Sequence, residues 1–352
     1  MLNIFAVTES PGAISPEELD DYLARGWFRM NQTIFTTHFL HFNSRYYAAV
    51  WLRLSLADYI QDNTHKTLLK RNQPFRVCIQ KAVITPEHNE LYEKYKTAIA
   101  FDAYSSLNQL LLNGQPGNIF NTWQVNMYDG DRLIACGFFD MGKTSAEGIV
   151  SIYHPDYKKY SLGKFLIYTK IDYCRRHGLA YFYPGYAVPG YKAFDYKLEI
   201  GGHAIQYFKV ATSQWMQYTT LAAIYNPLTE MYEKLEVLKH ALETKYIDSN
   251  LLYYRFFDCA LNIRFWGDLL DYPVFLLPGI IKKDHTAIPI IVYNITNGRY
   301  TLIECTPVYK IESAVNNDPV FSSDILSIDR YIYDTPDVDK IAAVLTWNDK
   351  QL

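Results

Sequence analysis

Apolar residues recur at helical spacing in some segments of the chain and alternate with polar residues, as in strands, in others. Residues 15–18 read Ser-Pro-Glu-Glu, which is typical of a capped helix start, and we expect this helix to end near Gly26. Residues 84–112 have apolar faces at helical spacing and are predicted to be helical. Alternation over 123–127 and 133–139, joined by a Tyr-Asp-Gly-Asp turn, predicts a β-hairpin.

The next segment predicts a strand, a loop, a helix and a second strand. Residues 148–153 have a strand pattern and 154–160 read as a loop. We expect Ser161 to cap a helix that Gly178 ends, and residues 179–186 to form the following strand. In acetyltransferase-like folds, a unit of this kind lies where two strands splay apart and hold the acyl donor.

The pattern changes after about residue 212. Residues 216–240 predict a long helix interrupted near Pro227. Residues 285–311 predict a hairpin with Asn297-Gly298 as a type I′ turn. We interpret 212–352 as a second domain or a wrapping extension, and its sequence indicates no chemistry.

Length, charge and cysteine content narrow the class of protein. A chain of 352 residues predicts two domains. The net charge of −3 argues against a general nucleic-acid binder, but residues 64–81 and 157–176 are locally basic, which suits contact with a few phosphates. Five scattered cysteines predict reduced thiols, and no signal peptide or membrane span is expected, so the predicted compartment is the cytoplasm.

Six segments, in order and at similar spacings, carry a resemblance to a known family. They are residues 22–29 (YLARGWFR), 67–72 (TLLKRN), 91–95 (LYEKY), 131–135 with 151–156 (DRLIA, SIYHPD), 161–163 (SLG) and 183–186 with Tyr196-Lys197 (YPGY, YK). Over about residues 20–200 the chain resembles the arginyl/leucyl-tRNA–protein transferases.

The resemblance implies an α+β fold with an acetyltransferase-like (GNAT-like) mixed sheet flanked by helices. The C-terminal extension, predicted as additional α+β structure, has no counterpart in the family. We therefore predict an N-terminal transferase region (1–82), an acetyltransferase-like aminoacyl-transfer core (83–211) and a C-terminal extension of unknown role (212–352). The implied activity moves an amino acid, arginine in preference to leucine, from charged tRNA to the N-terminal amine of proteins with acidic or basic N-termini. Neither a cofactor nor a membrane partner is implied.

The same resemblance and the chemistry of aminoacyl transfer suggest candidate site residues. The residues predicted for catalysis are Tyr183, Tyr186 and Tyr196; for acceptor binding, Lys192 and Lys197; for tRNA binding, Lys66, Lys70, Arg71, Lys158 and Lys159; and for the donor loop, Ser161, Leu162 and Gly163. Tyrosine hydroxyls can donate to an ester carbonyl, and a helix N-terminus can bind an anionic or carbonyl oxygen.

Three departures from the family pattern leave alternatives open. Residues 37–42 replace the family's cysteine motif; His38 and His41 lack a second pair of ligands there, so no metal is predicted. Residues 192–194 and Ala187 also differ from the pattern. One alternative is an acetyl-CoA-dependent N-acetyltransferase, although Phe165 stands where such enzymes need a small residue. The other is a non-catalytic binding module that kept the fold.

Overall fold

The computed structural model describes residues 5–99, 103–218, 226–262, 267–279, 287–310 and 324–349. The strands there are β1 Ala6–Glu9, β2 Phe28–Met30, β3 Thr33–Thr37, β4 Phe39–Phe42, β5 Arg45–Ala48, β6 Val50–Ser55, β7 Arg76–Lys81, β8 Thr122–Asp129, β9 Arg132–Met141, β10 Ser145–Tyr153, β11 Tyr181–Ala187, β12 Ile205–Lys209, β13 Gln214–Gln217, β14 Ser249–Tyr253, β15 Asp268–Leu269, β16 Val274–Pro278, β17 Ile288–Asn294, β18 Arg299–Lys310 and β19 Asp324–Thr335. The α-helices are α1 Pro16–Ala24, α2 Asn63–Asn72, α3 Pro86–Lys96, α4 Leu107–Leu112, α5 Leu162–Arg176, α6 Pro227–Glu243 and α7 Val338–Asp349.

The centre of the molecule is an eight-stranded sheet in the order β13-β12-β6-β11-β10-β9-β8-β7. Strands β10 and β11 run parallel, and the other neighbours in this sheet are antiparallel. Helix α5 connects β10 to β11 and packs on β8, β9, β10 and β11. The fold is therefore α+β with an acetyltransferase-like mixed sheet flanked by helices, as predicted.

Helix α5 is held on the sheet by its apolar face. Leu162 and Leu166 are completely buried and belong to the same core as Phe139 and Phe182 on the strands beneath. Full burial of such a side chain stabilises a fold by roughly 1.5–3 kcal/mol. Helix α5 is therefore held firmly on the sheet by this apolar packing.

Strands from both sides of the predicted boundary at residue 82 share this sheet. Strand β6 lies between β11 and β12, and β7 forms the edge beside β8. The sheet is therefore continuous across that boundary. A separate three-stranded sheet, β1-β3-β2, and the β4–β5 hairpin complete the N-terminal part of the fold.

The C-terminal part is a six-stranded antiparallel sheet in the order β14-β16-β17-β18-β19-β15, against which α6 and α7 pack. Its core also includes Phe5, Ala6 and Phe39 from the N-terminal part. Asp271 Oδ2 accepts hydrogen bonds from the backbone N–H groups of Phe5 and Ala6, at 2.7 and 3.2 Å. The extension is thus packed against the start of the chain.

The structure confirms some local predictions and corrects others. The hairpin of β8 and β9 is confirmed. The type I′ turn is wrong: Asn294 pairs with Arg299, which leaves a four-residue turn, and Gly298 has a positive φ of 69° whereas Asn297 does not. A type I′ turn needs positive φ at both central residues.

Two helix predictions had the wrong extent. The helix predicted over 216–240 begins at Pro227, because Asn226 caps it there, and 214–217 form a strand instead. The helical stretch predicted over 84–112 is two helices, α3 and α4. Residues 219–225 and 100–102, within these predictions, lie outside the described residues.

Gly142, in the turn before β10, gives a test of how α1 docks on the sheet. Asp20 on α1 accepts hydrogen bonds from the backbone of Lys143 and Thr144. A Cβ at Gly142 would lie 2.9 Å from Asp20 Cγ and 3.0 Å from the Pro16 carbonyl oxygen. We expect Gly142→Ala to lower the free energy of unfolding by about 1–3 kcal/mol, because α1 must move away. Urea unfolding checks this, with Gly117→Ala, where a Cβ meets nothing within 4 Å, as the control.

Candidate functional site

A cleft opens where β10 and β11 part. The two strands pair only over Ser145–Glu147 and residues 181–183. Beyond that point β10 stays with β9, β11 stays with β6, and the register of β10 slips between Gly148 and Val150. The cleft has a volume of about 390 Å³. Its walls are the diverging strands, α5 from Gly163 to Lys170, Tyr95 of α3 and residues 196–197.

The lining of the cleft is apolar and aromatic, with three lysines. The lining residues are Tyr95, Gly148, Ile149, Val150, Ser151, Tyr153, Gly163, Lys164, Ile167, Lys170, Phe182, Pro184, Tyr196 and Lys197. Among the described residues that line the cleft there is no Asp or Glu. The cleft therefore offers an apolar surface and positive charge to a ligand.

The predicted donor loop lies at the mouth of the cleft, with one correction. Gly163 lines the cleft and Leu162 is completely buried beneath the helix start. Ser161 is not a side-chain cap, because its backbone is left-handed (φ 53°) and its hydroxyl makes no capping hydrogen bond. Residues 155–160, predicted as a loop, form a 3₁₀ helix that runs into this joint. The first-turn N–H groups of α5, which have no intrahelical partners, lie next to the cleft.

The three predicted catalytic tyrosines occupy three different environments. Tyr196 lines the cleft and is 39% exposed. Tyr186 is next to the cleft but does not line it, and its ring lies 5.3 Å from that of Phe194. Tyr183 is 1% exposed and packs against Phe28, in a different core from the cleft residue Phe182. Catalysis by Tyr183 would need contact with substrate, which this position does not provide.

The two predicted acceptor-binding lysines also differ. Lys197 lines the cleft, and its Nζ donates to the Tyr186 carbonyl oxygen at 3.0 Å. Burial lowers the pKa of Lys197 to about 8. Lys192 is exposed and does not line the cleft. Lys164, which was not among the predicted site residues, does line the cleft and pairs with Glu199 at 2.9 Å.

Helices α2 and α5 bring the predicted tRNA-binding residues together. The start of α2 meets the middle of α5, since the ring of His65 stacks on that of Tyr168 at 4.2 Å. The end of α2 meets the residues before α5, where Arg71 Nη1 donates to the Lys159 carbonyl oxygen at 3.3 Å. The helices are therefore antiparallel. They align a row of exposed cations that we call the basic ridge: Lys66, Lys70, Arg71, Lys158 and Lys159.

The basic ridge leads to the cleft. Lys158 and Lys159 lie just before Gly163 and Lys164, which line it. Helix α2, at 10 residues, is about 15 Å long. Within the described ranges none of the ridge cations makes an ion pair, so their charge is available to phosphates.

The histidines of the altered N-terminal motif are packed. His38 is buried, its ring lies 5.8 Å from that of Phe208, and burial lowers its pKa to about 4. The described residues contain no cluster of three or more His, Cys, Asp or Glu suited to a metal. Among the described helices, none has the length and apolarity needed to cross a membrane.

A mixed sheet that splays beside a helix N-terminus defines the acetyltransferase-like class. Within that class, residues 87–207 match the family model described as Arginine-tRNA-protein transferase, C terminus. The chain is 27% identical over 192 residues to an aspartate/glutamate leucyltransferase of Leptospira interrogans, covering 53% of this chain and 73% of the relative. It is 26% identical over 203 residues to the enzyme of that name from Vibrio cholerae, covering 56% and 84%.

Solved structures are similar over parts of the chain. FemX matches with a TM-score of 0.35 and 7% identity, covering 63% of this chain and 73% of that one. The C-terminal domain of a lysylphosphatidylglycerol synthetase from Agrobacterium fabrum matches with a TM-score of 0.32 and 14% identity, covering 40% and 46%. This chain thus spans about half of that structure's length. The family match over residues 87–207 and the relatives, at modest identity, support the aminoacyl-tRNA–protein transferase family and indicate an aminoacyltransferase enzyme.

Proposed function

We propose that this protein transfers leucine from charged tRNA to the N-terminal amine of proteins that begin with Asp or Glu. The observation that carries the proposal is the cleft lining, which combines apolar surface with lysines and, among the described residues, includes no carboxylate. An arginyl side chain would bring an uncompensated cation to this surface, whereas a leucyl side chain would bury apolar area. The proposal replaces the sequence-based preference for arginine, and it agrees with the names of the relatives.

The lysines of the cleft suit an acidic acceptor. Lys197 uses one of its N–H donors on the Tyr186 carbonyl oxygen, which leaves others for a carboxylate. Lys164, at the helix start, is held by Glu199 at 2.9 Å and faces the same space. Both cations would favour Asp or Glu over Lys or Arg at the first position of the acceptor.

The basic ridge suits tRNA as the donor better than acetyl-CoA. Its five exposed cations are more than the two phosphates of one pyrophosphate require, and Lys158 and Lys159 shortly precede the cleft residues Gly163 and Lys164 in the chain. Phe165, however, is buried in the core beneath α5 and does not line the cleft. Its size therefore does not exclude acetyl-CoA, and that donor belongs in the test.

The test is a transfer assay with purified protein. We expect label from Leu-tRNA to appear on reporters that begin with Asp or Glu, and little or none from Arg-tRNA or acetyl-CoA. Reporters that begin with Asn or Gln are the matched controls, because they keep the shape of the side chain and remove its charge. Transfer of arginine, or equal use of the Asp and Asn reporters, would contradict the proposed specificity. Transfer from acetyl-CoA alone would establish the acetyltransferase alternative.

A further inference from the structure

A buried lysine lies at the point where the cleft begins. Lys170 on α5 is 1% exposed and lines the cleft. Its Nζ donates to the carbonyl oxygens of Phe138 and Val150, both at 2.9 Å, and to Ser151 Oγ at 3.2 Å. All three acceptors are uncharged. The lysine therefore joins β9 and β10 beside the register slip of β10.

This arrangement is costly for a side chain with only a packing role. A buried ammonium without a carboxylate partner loses its hydration and gains only neutral acceptors in return. Asp140 is the nearby acid on β9, and it is already paired with Arg29 at 3.0 Å. Burial lowers the pKa of Lys170 to about 7. An apolar side chain of similar length would fill the same space without this cost.

Gly137 makes the space for the lysine. A Cβ at this position would lie 2.9 Å from Lys170 Cε and 3.0 Å from Nζ. The bare backbone of β9 thus allows the ammonium to reach the cleft wall.

Ser151 connects the lysine to the cleft. Its hydroxyl has one hydrogen to donate, and its oxygen accepts from Lys170 Nζ. Within the described structure the hydroxyl makes no other hydrogen bond, so that hydrogen is available to a ligand in the cleft that Ser151 lines. A hydroxyl that accepts from a cation is a stronger donor than a free one, because the two bonds polarise each other.

We propose that Ser151 donates a hydrogen bond to the carbonyl oxygen of the donor ester, and that Lys170 positions and polarises its hydroxyl. This inference rests on the proposed aminoacyl transfer. The acceptor amine attacks the ester carbon, and its lone pair forms the new C–N bond while the carbonyl electrons move onto oxygen. Ser151 stabilises that oxyanion. The carbonyl re-forms as the C–O bond to the tRNA ribose breaks, and the amine proton ends on the ribose hydroxyl.

Steady-state kinetics of Ser151 variants test the proposal. We expect Ser151→Ala to lower kcat about a hundredfold, because an oxyanion donor is lost, with KM for Leu-tRNA and acceptor changed less than threefold. Ser151→Thr keeps the hydroxyl and should restore most of kcat. We expect Lys170→Met to lower kcat about tenfold, through the lost polarisation of the hydroxyl. Lys239→Met on α6 is the control for removing a lysine charge, because Lys239 does not line the cleft.

A double-mutant cycle separates positioning from a purely structural effect. The Ser151→Ala/Lys170→Met variant should be no slower than Ser151→Ala, since the lysine acts through the hydroxyl. If Lys170→Met fails to fold, the Ala and Thr variants at Ser151 decide the matter alone. Ser151→Ala with wild-type kcat, or with the same kcat as Ser151→Thr, would overturn the inference while leaving leucyl transfer intact. A wild-type protein that transfers nothing would overturn the proposed function and the inference together.

Discussion

Replacing Arg29 with methionine is expected to lower the free energy of unfolding by about 3–5 kcal/mol, because it leaves a buried carboxylate without its cation. Arg29 Nη1 lies 3.0 Å from both carboxylate oxygens of Asp140, which is completely buried. Its Nε donates to the Asn31 carbonyl oxygen at 2.7 Å, and Nη2 donates to that of Leu111. One side chain thus joins β2 to α4 and β9. Thermal and urea unfolding followed by circular dichroism measure the loss.

Two further variants distinguish the ion pair from general packing. Arg29→Lys keeps the charge but cannot donate to Asp140, Asn31 and Leu111 at once, and should fall between wild type and Arg29→Met. Glu147→Gln is the matched control, because its amide oxygen can still accept from the Arg29 backbone N–H, as Glu147 does at 3.2 Å. We expect it to change stability by less than about 1 kcal/mol at pH 5. An Arg29→Met variant as stable as wild type would contradict this role for the pair.

The pH dependence of the Glu147 control follows from its surroundings. Burial, and next the charge of Asp140, raise the pKa of Glu147 well above its usual value of 4.5. Above that value the unfolded chain loses this proton while the folded chain keeps it. The wild type should therefore lose stability relative to Glu147→Gln as pH rises from about 4.5.

The strand, helix and second strand over residues 148–186 were predictable because their signals are local. The strand pattern of 148–153, the helix and Gly178 all lie within a short stretch of chain, and the structure contains each element. The place of β6 was not predictable in this way. It pairs with β11 and β12, which lie more than a hundred residues away in sequence, and no local pattern specifies such a partner.

The candidate site shows a similar division. Successive side chains of a strand point to opposite faces of the sheet, which explains why Tyr183 and its neighbour Phe182 belong to different cores. This alternation along β11 could have removed Tyr183 from the predicted catalytic residues. Lys170 could also have been found, because it is four residues from both Leu166 and Cys174 and therefore lies on the apolar face of α5. Ser151 was part of a quoted motif, but its access to the cleft depends on the parting of β10 and β11, which only the structure shows.

Reversing three charges of the basic ridge is expected to raise KM for Leu-tRNA about a hundredfold at 0.1 M salt, with kcat changed less than threefold. The variant is Lys66→Glu/Lys70→Glu/Lys158→Glu, all exposed positions on or beside α2 and α5. Each lost phosphate contact removes one released counterion, so the slope of log KM against log salt should fall by about two to three. The same change at three exposed lysines of the C-terminal part, Lys234, Lys245 and Lys340, is the matched control.

A short donor separates a role in tRNA binding from a role in chemistry. A leucyl ester of a trinucleotide with the tRNA 3′ sequence can occupy the cleft, but it carries only a few phosphates for the ridge cations to bind. The ridge variant should use this donor as well as wild type does, because Gly163, Lys164 and Ser151 are unchanged. Equal loss with the short donor would place the effect in the cleft. Equal KM for full-length Leu-tRNA in the ridge variant and the wild type would mean that the tRNA follows another path.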